Sequence, residues 1–334
     1  MPITNTLGTS APATNNANLE SKGFEVLLGW RDQVDVKGSP LSYGLSVNVS
    51  DEVQTITKYN NSSPSFYSWY AGRKLGEIWG YETIDIARTQ EQMTQHLASL
   101  PNGGQSQLGQ VWQSGDIMYR DINADGRISQ GSGTLKDPGD VKIIGNDLPR
   151  YKFGITLTGA WKGFDLNVFF QGVAKRDMWP ATQRVTPGYS DGDFTFWGIA
   201  GSSSNQQVLV PHLDYYRPEG DPYGANVDAY YPRPYTITAQ NQLTQTKYLQ
   251  DGAYLRLKNL QLGYSIPNRL SQKLYLQRVR LYVSGDNLYT WTKLTKVIDP
   301  EAYMGMNTPQ GGAGSIGTAY PIQKVFSVGL NLTL

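Results

Sequence analysis

The segment DINADGRIS, residues 121–129, has the residue types and spacing of a calcium loop. Asp121, Asn123 and Asp125 stand at positions 1, 3 and 5, and Gly126 supplies the sharp turn at position 6. Arg127 follows at position 7, where the ligand is a backbone carbonyl, and Ile128 fills the apolar position 8. Hard oxygen donors on alternate residues suit Ca²⁺ because a short loop of this kind can wrap the ion. Position 12 calls for an acidic residue, but Ser132 stands there. The alternative is an Asx/Gly turn that holds no metal.

Little else in the chain suggests chemistry. It has no cysteine, so thiolate metal sites, disulfides and thiol catalysis are excluded, and its histidines are only His96 and His212. The acids are scattered, and no nucleophile elbow or phosphate-binding glycine loop is present. Gly311-Gly312-Ala313-Gly314 has no helix after it and reads as a flexible loop tip. No catalytic constellation emerges, so an enzyme is not expected. A net charge of +1 over 334 residues gives no electrostatic case for a nucleic-acid partner. Segment 211–235 is crowded with Tyr and Pro, and Trp69, Tyr70, Trp79 and Tyr81 form a second aromatic group. Such rings can stack on a ligand or pack among themselves, and self-packing is the expectation for any single residue. Residues 87–100 read as a short amphipathic helix with Thr89 as N-cap and His96 on its surface.

The elements that must position these groups are strands. Phe24, Val26, Leu28 and Trp30 share one parity, opposed by Glu25, Gly29 and Arg31. The same alternation runs through Leu41–Val49, Tyr151–Trp161, Phe164–Phe170, Val279–Val283 and Phe326–Leu334. Between Ala253 and Ile266 the phase changes, which a β-bulge near Asn259 would explain. Strands are expected at about 22–32, 41–51, 150–161, 164–174, 252–266, 277–291 and 324–334. Short turns (33–40, 162–163, 267–275) alternate with very long connections (about 53–149, 175–250, 292–323). A soluble β-sandwich also alternates, but it rarely carries connections longer than about 15 residues. Outer-membrane barrels have short turns at one end, long loops at the other, and aromatic girdles near strand ends. Trp30, Tyr43, Tyr151, Trp161, Phe164, Tyr289 and Trp291 sit where girdles belong. The fold class expected is therefore all-β, a transmembrane antiparallel β-barrel with long extracellular loops. Seven strands are too few to close around a lumen, and residues 1–23 lack the basic and apolar regions of a signal peptide. The chain is expected to form part of a larger barrel.

A set of motifs in order narrows this reading. LESKGFEVLLGWRD, GEIWGYET, GDIMYRDINADGRI, IIGND, YKFGITLTGAWKGFDLNVFFQG, YLRLKNLQLGYSIP and RLYVSGDNLYTWT together resemble the SusC/RagA-like TonB-dependent outer-membrane receptors. The resemblance covers essentially the whole chain. It implies the C-terminal strands of a 22-stranded barrel whose plug domain lies outside this sequence. It also implies partners: the rest of the barrel and the plug, TonB through the missing N-terminal region, outer-membrane lipid, and a SusD-like surface lipoprotein. In such receptors an acid precedes the Ile-Ile-Gly that follows the calcium-like loop. Here Asp140 precedes Ile143-Ile144-Gly145, after the insertion GSGTLKDPG, and is expected to supply the missing ligand, with Asp137 a weaker candidate.

The function expected is import of a nutrient, a glycan oligomer or a peptide, with Ca²⁺ as a structural ion. Two other classes stand beside it: a secreted carbohydrate-binding β-sandwich with a calcium loop, and a secreted glycoside hydrolase, which would need paired acids in a cleft.

Overall fold

A computed structural model describes residues 15–179, 210–235, 240–296, 298–302 and 322–334. Seven long strands form one sheet: β1 (Ala17–Asp35), β2 (Pro40–Tyr59), β3 (Arg150–Trp161), β4 (Phe164–Lys175), β5 (Tyr254–Ser265), β6 (Arg278–Thr292) and β7 (Val325–Thr333). Each pairs antiparallel with its neighbour in sequence, in the order β1-β2-β3-β4-β5-β6-β7. Among the described residues, β1 pairs only with β2 and β7 only with β6, so both lateral edges of this sheet are open.

Register turns the alternation of each strand into one surface. Trp30 faces Leu45, Leu45 faces Leu157 and Leu157 faces Val168. Farther on, Leu166 faces Leu262, Leu262 faces Val283 and Val283 faces Val328. All of these side chains except the half-buried Val168 are exposed, so the sheet carries an apolar outer face that nothing described covers. Asn48, Asn167 and Gln261 lie on the opposite parity, together with an ion pair between Arg280 and Asp165. The phase change in β5 is a register shift between Leu257 and Asn259, felt by both neighbouring strands. It returns the apolar residues on either side of it to one face.

The hydrophobic core lies in the long connections instead. Besides the expected helix they contain short strand pairs not read from the sequence: Glu77–Tyr81 pairs with Val141–Asn146, and Thr83–Ile86 pairs with Ile117–Tyr119. Tyr81, Ile86, Ile117, Tyr119, Ile128 and Tyr248 are fully buried in one cluster drawn from both the 60–149 and 210–249 connections. Tyr231 stacks on Tyr248 and Phe66 on Trp79, at centroid distances of 5.7 and 5.4 Å. Most of the aromatic residues are thus packing groups: Tyr70, Trp79 and Tyr81 are buried and only Trp69 of that set is exposed. Buried polar groups join the two connections. The Asp116 carboxylate accepts from Asn241 Nδ2 and from the Tyr235 hydroxyl, each at 2.9 Å. The Arg88 guanidinium donates to the Val227 and Ala229 carbonyls.

Helix α1 (Gln90–Ala98) starts as expected, Thr89 Oγ1 accepting from the Gln92 N–H at 3.3 Å. His96 departs from expectation. Instead of lying on the surface, its Nε2 sits 3.0 Å from Oε1 of the buried Gln105, which also accepts from the Tyr119 N–H and donates to the Ile117 carbonyl.

Two tests follow from this arrangement. In a full-length barrel, Leu45→Arg or Val168→Arg should cost about 2–4 kcal/mol, whereas Asn48→Arg and Asn167→Arg should be tolerated. Equal losses on both faces, measured by denaturant unfolding in lipid, would contradict a lipid-facing belt. The second concerns His212, buried beside Tyr231, whose pKa burial depresses to about 4. Unfolded chain takes up this proton near pH 6.5 and the folded state does not, so stability is present above pH 6.5 and is lost as pH falls towards 4. Segment 210–231 should loosen over that window by about 1–3 kcal/mol in hydrogen exchange, and His212→Gln should abolish the pH dependence.

Candidate metal centre

The loop at 121–129 links the strand Ile117–Tyr119 to the strand Val141–Asn146. Its short polar side chains coil it through hydrogen bonds to its own backbone. Asp121 Oδ2 accepts from the Gly126 N–H at 2.8 Å, Asn123 Oδ1 from Asp125 at 3.1 Å, and Asp125 Oδ1 from Arg127 at 3.1 Å. Ala124 and Gly126 take left-handed conformations, with φ of 60° and 78°. A side chain at Gly126 would also crowd Pro101 and Asn102, so glycine is required twice over. Asn102 clamps the loop from outside, its N–H donating to the Gly126 carbonyl at 2.9 Å and its Nδ2 to Asp125 O at 2.6 Å. Ile128 is fully buried in the core and donates its N–H to the Gly104 carbonyl. The loop is therefore held on both sides.

Asp140 reaches the same point from the far end of the insertion. Its Oδ1 accepts from the Ile122 N–H and its Oδ2 from the Ser129 N–H, both at 2.7 Å. The insertion is pinched off at its base, where Gly131 and Gly139 are both left-handed and approach so closely that a Cβ on either would overlap the other's backbone. The residues between them loop out, and Asp140 lands beside Ser129 as though the excursion were absent. Ser132, at the nominal twelfth position, instead donates its N–H to Asp137 Oδ2 at 2.9 Å. Asp137 thus belongs to the turn of the insertion.

Carboxylate oxygens of Asp121, Asp125 and Asp140 all lie within 4.8 Å of one another. Ca²⁺ ligands at about 2.3–2.6 Å from the ion span just such separations. Two further observations fit a cation. Asp121 Oδ1 is buried with no hydrogen-bond partner. Burial, with the nearby Asp121 charge adding to it, raises the Asp140 pKa above the usual carboxylate range. Asn123 spends its Oδ1 on the Asp125 N–H, leaving one lone pair for an ion. The Arg127 side chain folds back so that Nε lies 3.1 Å from Asp125 Oδ2, which makes it the local stand-in for positive charge. Neither Asn102 nor this arginine contact was anticipated from spacing, because both depend on where the chain folds back.

Compared with known proteins, no family model matches the chain. It is 26% identical over 347 residues to TonB-dependent receptor P3 of Formosa agariphila, covering 99% of this chain and 30% of that receptor. TonB-dependent receptor P39 of the same organism is 23% identical over 367 residues, again across 99% of this chain and 32% of the relative. Among solved structures, the RagAB peptide transporter superposes with a TM-score of 0.60 over 99% of this chain and 31% of its own, at 19% identity. The chain is similar to TonB-dependent receptors along its whole length. It spans about a third of the length of these relatives. Over its matched length the chain shares the fold of the RagAB transporter.

Asp125→Ala removes the carboxylate that Arg127 touches and one of the three clustered oxygens. Hydrogen exchange of 115–145 should rise several-fold in calcium, towards its level in chelator, with β1–β7 unchanged. Equal exchange with and without calcium in the unaltered chain would remove the metal from this account.

Proposed function

We propose that the chain forms wall strands and exterior loops of a TonB-dependent outer-membrane importer, acting on glycan oligomers or peptides with a SusD-like lipoprotein as lid. The observation that carries the reading is the position of the core. Seven strands in sequence order present an exposed apolar face, while the buried core belongs to the long connections at one end. A soluble sandwich would cover that face with a second sheet, and none lies over it among the described residues. Likeness to receptors and to a peptide transporter along the whole chain supports the same reading. The 53–149, 175–250 and 292–323 connections then face the exterior, and 33–40, 162–163 and 267–275 face the periplasm. Energy enters through TonB acting on a plug domain, and the role of this chain is to bind and pass a ligand without chemistry. Asp121, Asn123, Asp125, the Arg127 carbonyl and Asp140 would hold one Ca²⁺, which stiffens the loop module that meets ligand and lid.

Protease added to intact cells should cut the full-length receptor in the long connections and spare the short turns; the reverse pattern would invert the topology. A tagged receptor should co-purify a surface lipoprotein, and its absence under mild extraction would count against the lid.

A further inference from the structure

Two short turns sit side by side at the end of the sheet opposite the loop module. Lys162-Gly163 joins β3 to β4, and residues 266–277 join β5 to β6 through a short helix, α2 (Asn268–Ser271). The turns are tied together by the Ser265 N–H donating to the Gly163 carbonyl at 2.8 Å. Lys162, Arg269, Lys273 and Arg278 are all exposed here, and residues 264–280 contain no acid. None of these four cations pairs with a carboxylate among the described residues, and the nearby Asp165 is occupied by Arg280. Several cations in the loop module are instead paired: Arg120 and Lys142 with Glu82, Arg127 with Asp125, and Lys247 with Asp85.

Apolar groups are set among these charges. Tyr275 is 95% exposed and Leu270 53%, on a turn with no described neighbour to cover them. Just above, Phe164 and Tyr264 meet at 4.6 Å on the apolar outer face, and Lys162 Nζ lies 4.7 Å from the centre of the Trp161 ring. The patch is therefore continuous with the apolar belt and ends in unpaired positive charge. The first short turn does not share it, since Asp32 and Asp35 balance Arg31 and Lys37.

We infer that this patch is a docking surface for anionic phospholipid headgroups in the leaflet that the short turns face. The inference rests on the membrane reading above. Tyr275 and Leu270 would enter the acyl boundary, and Lys162, Arg269 and Lys273 would meet headgroup phosphates, as basic residues beside an apolar surface do. Arg278, held by Ser265 Oγ at 3.1 Å, adds to the local field.

The test uses the full-length receptor in bilayers of phosphatidylethanolamine with a minor share of phosphatidylglycerol, the retained lipid being quantified after mild extraction. Phosphatidylglycerol should be enriched over the bulk. Each basic residue near such a surface contributes up to about fivefold to partition, so Lys162→Gln/Arg269→Gln/Lys273→Gln, with up to about a hundredfold lost, should return the retained lipid to the bulk ratio. Salt at about 0.5 M should lower it in the unaltered receptor, which needs no variant to fold. Leu270→Ser/Tyr275→Ser should reduce total retained lipid and leave the ratio of the two lipids unchanged. Retention at the bulk ratio, or enrichment indifferent to both salt and the triple substitution, would overturn the inference. A receptor that does not insert into bilayers at all would instead overturn the membrane reading on which it rests.

Discussion

Backbone hydrogen bonding between neighbours in sequence is the interaction on which the rest of this structure depends. Every strand of the sheet finds its partner in the strand immediately before or after it, so the wall is held by its ladder and needs no side-chain layer on either face. In lipid that is the arrangement a chain must reach, because an unpaired N–H or C=O there costs several kcal/mol. Once the ladder is set, a period of two sends Leu45, Leu157, Val168 and Leu262 to one side and Asn48, Asn167 and Gln261 to the other. The register shift at Leu257/Asn259 preserves that division where the pattern slips.

A wall without a core leaves the long connections to build their own. They do so with tyrosine and tryptophan, which bury large rings while their polar tips find partners: the Tyr119 hydroxyl donates to Gln240 O and that of Tyr248 to Tyr230 O. Asn241, Gln105 and Arg88 sit between elements distant in sequence and satisfy backbone groups that a loop would otherwise bury unpaired. The result is a packed module beside the sheet with a core of its own.

The 121–140 segment shows how local and distant forces combine. Asx-type bonds coil 121–127 with no outside help, but Asp140 reaches Ser129 only because two left-handed glycines let the insertion close at its base. The outcome concentrates acidic charge around the orphaned Asp121 Oδ1, an arrangement that a divalent cation would relieve.

Sequence alone determined the strands, the faces of their side chains and the bulge in β5, because each follows from a period-two pattern that a pleated backbone converts directly into two sides. It also placed Asp121, Asn123 and Asp125 in one turn, since that geometry is local. It did not reveal that β1 and β2 run as far as Ala17 and Tyr59, where the polar residues beyond the apolar belt carry no face signal. Nor did it show His96 turned onto Gln105, Asn102 clamping the 121–129 loop, or two connections sharing one aromatic core. Those depend on contacts between residues far apart in the chain, and only tertiary packing selects which of many similar tyrosines and glutamines meet.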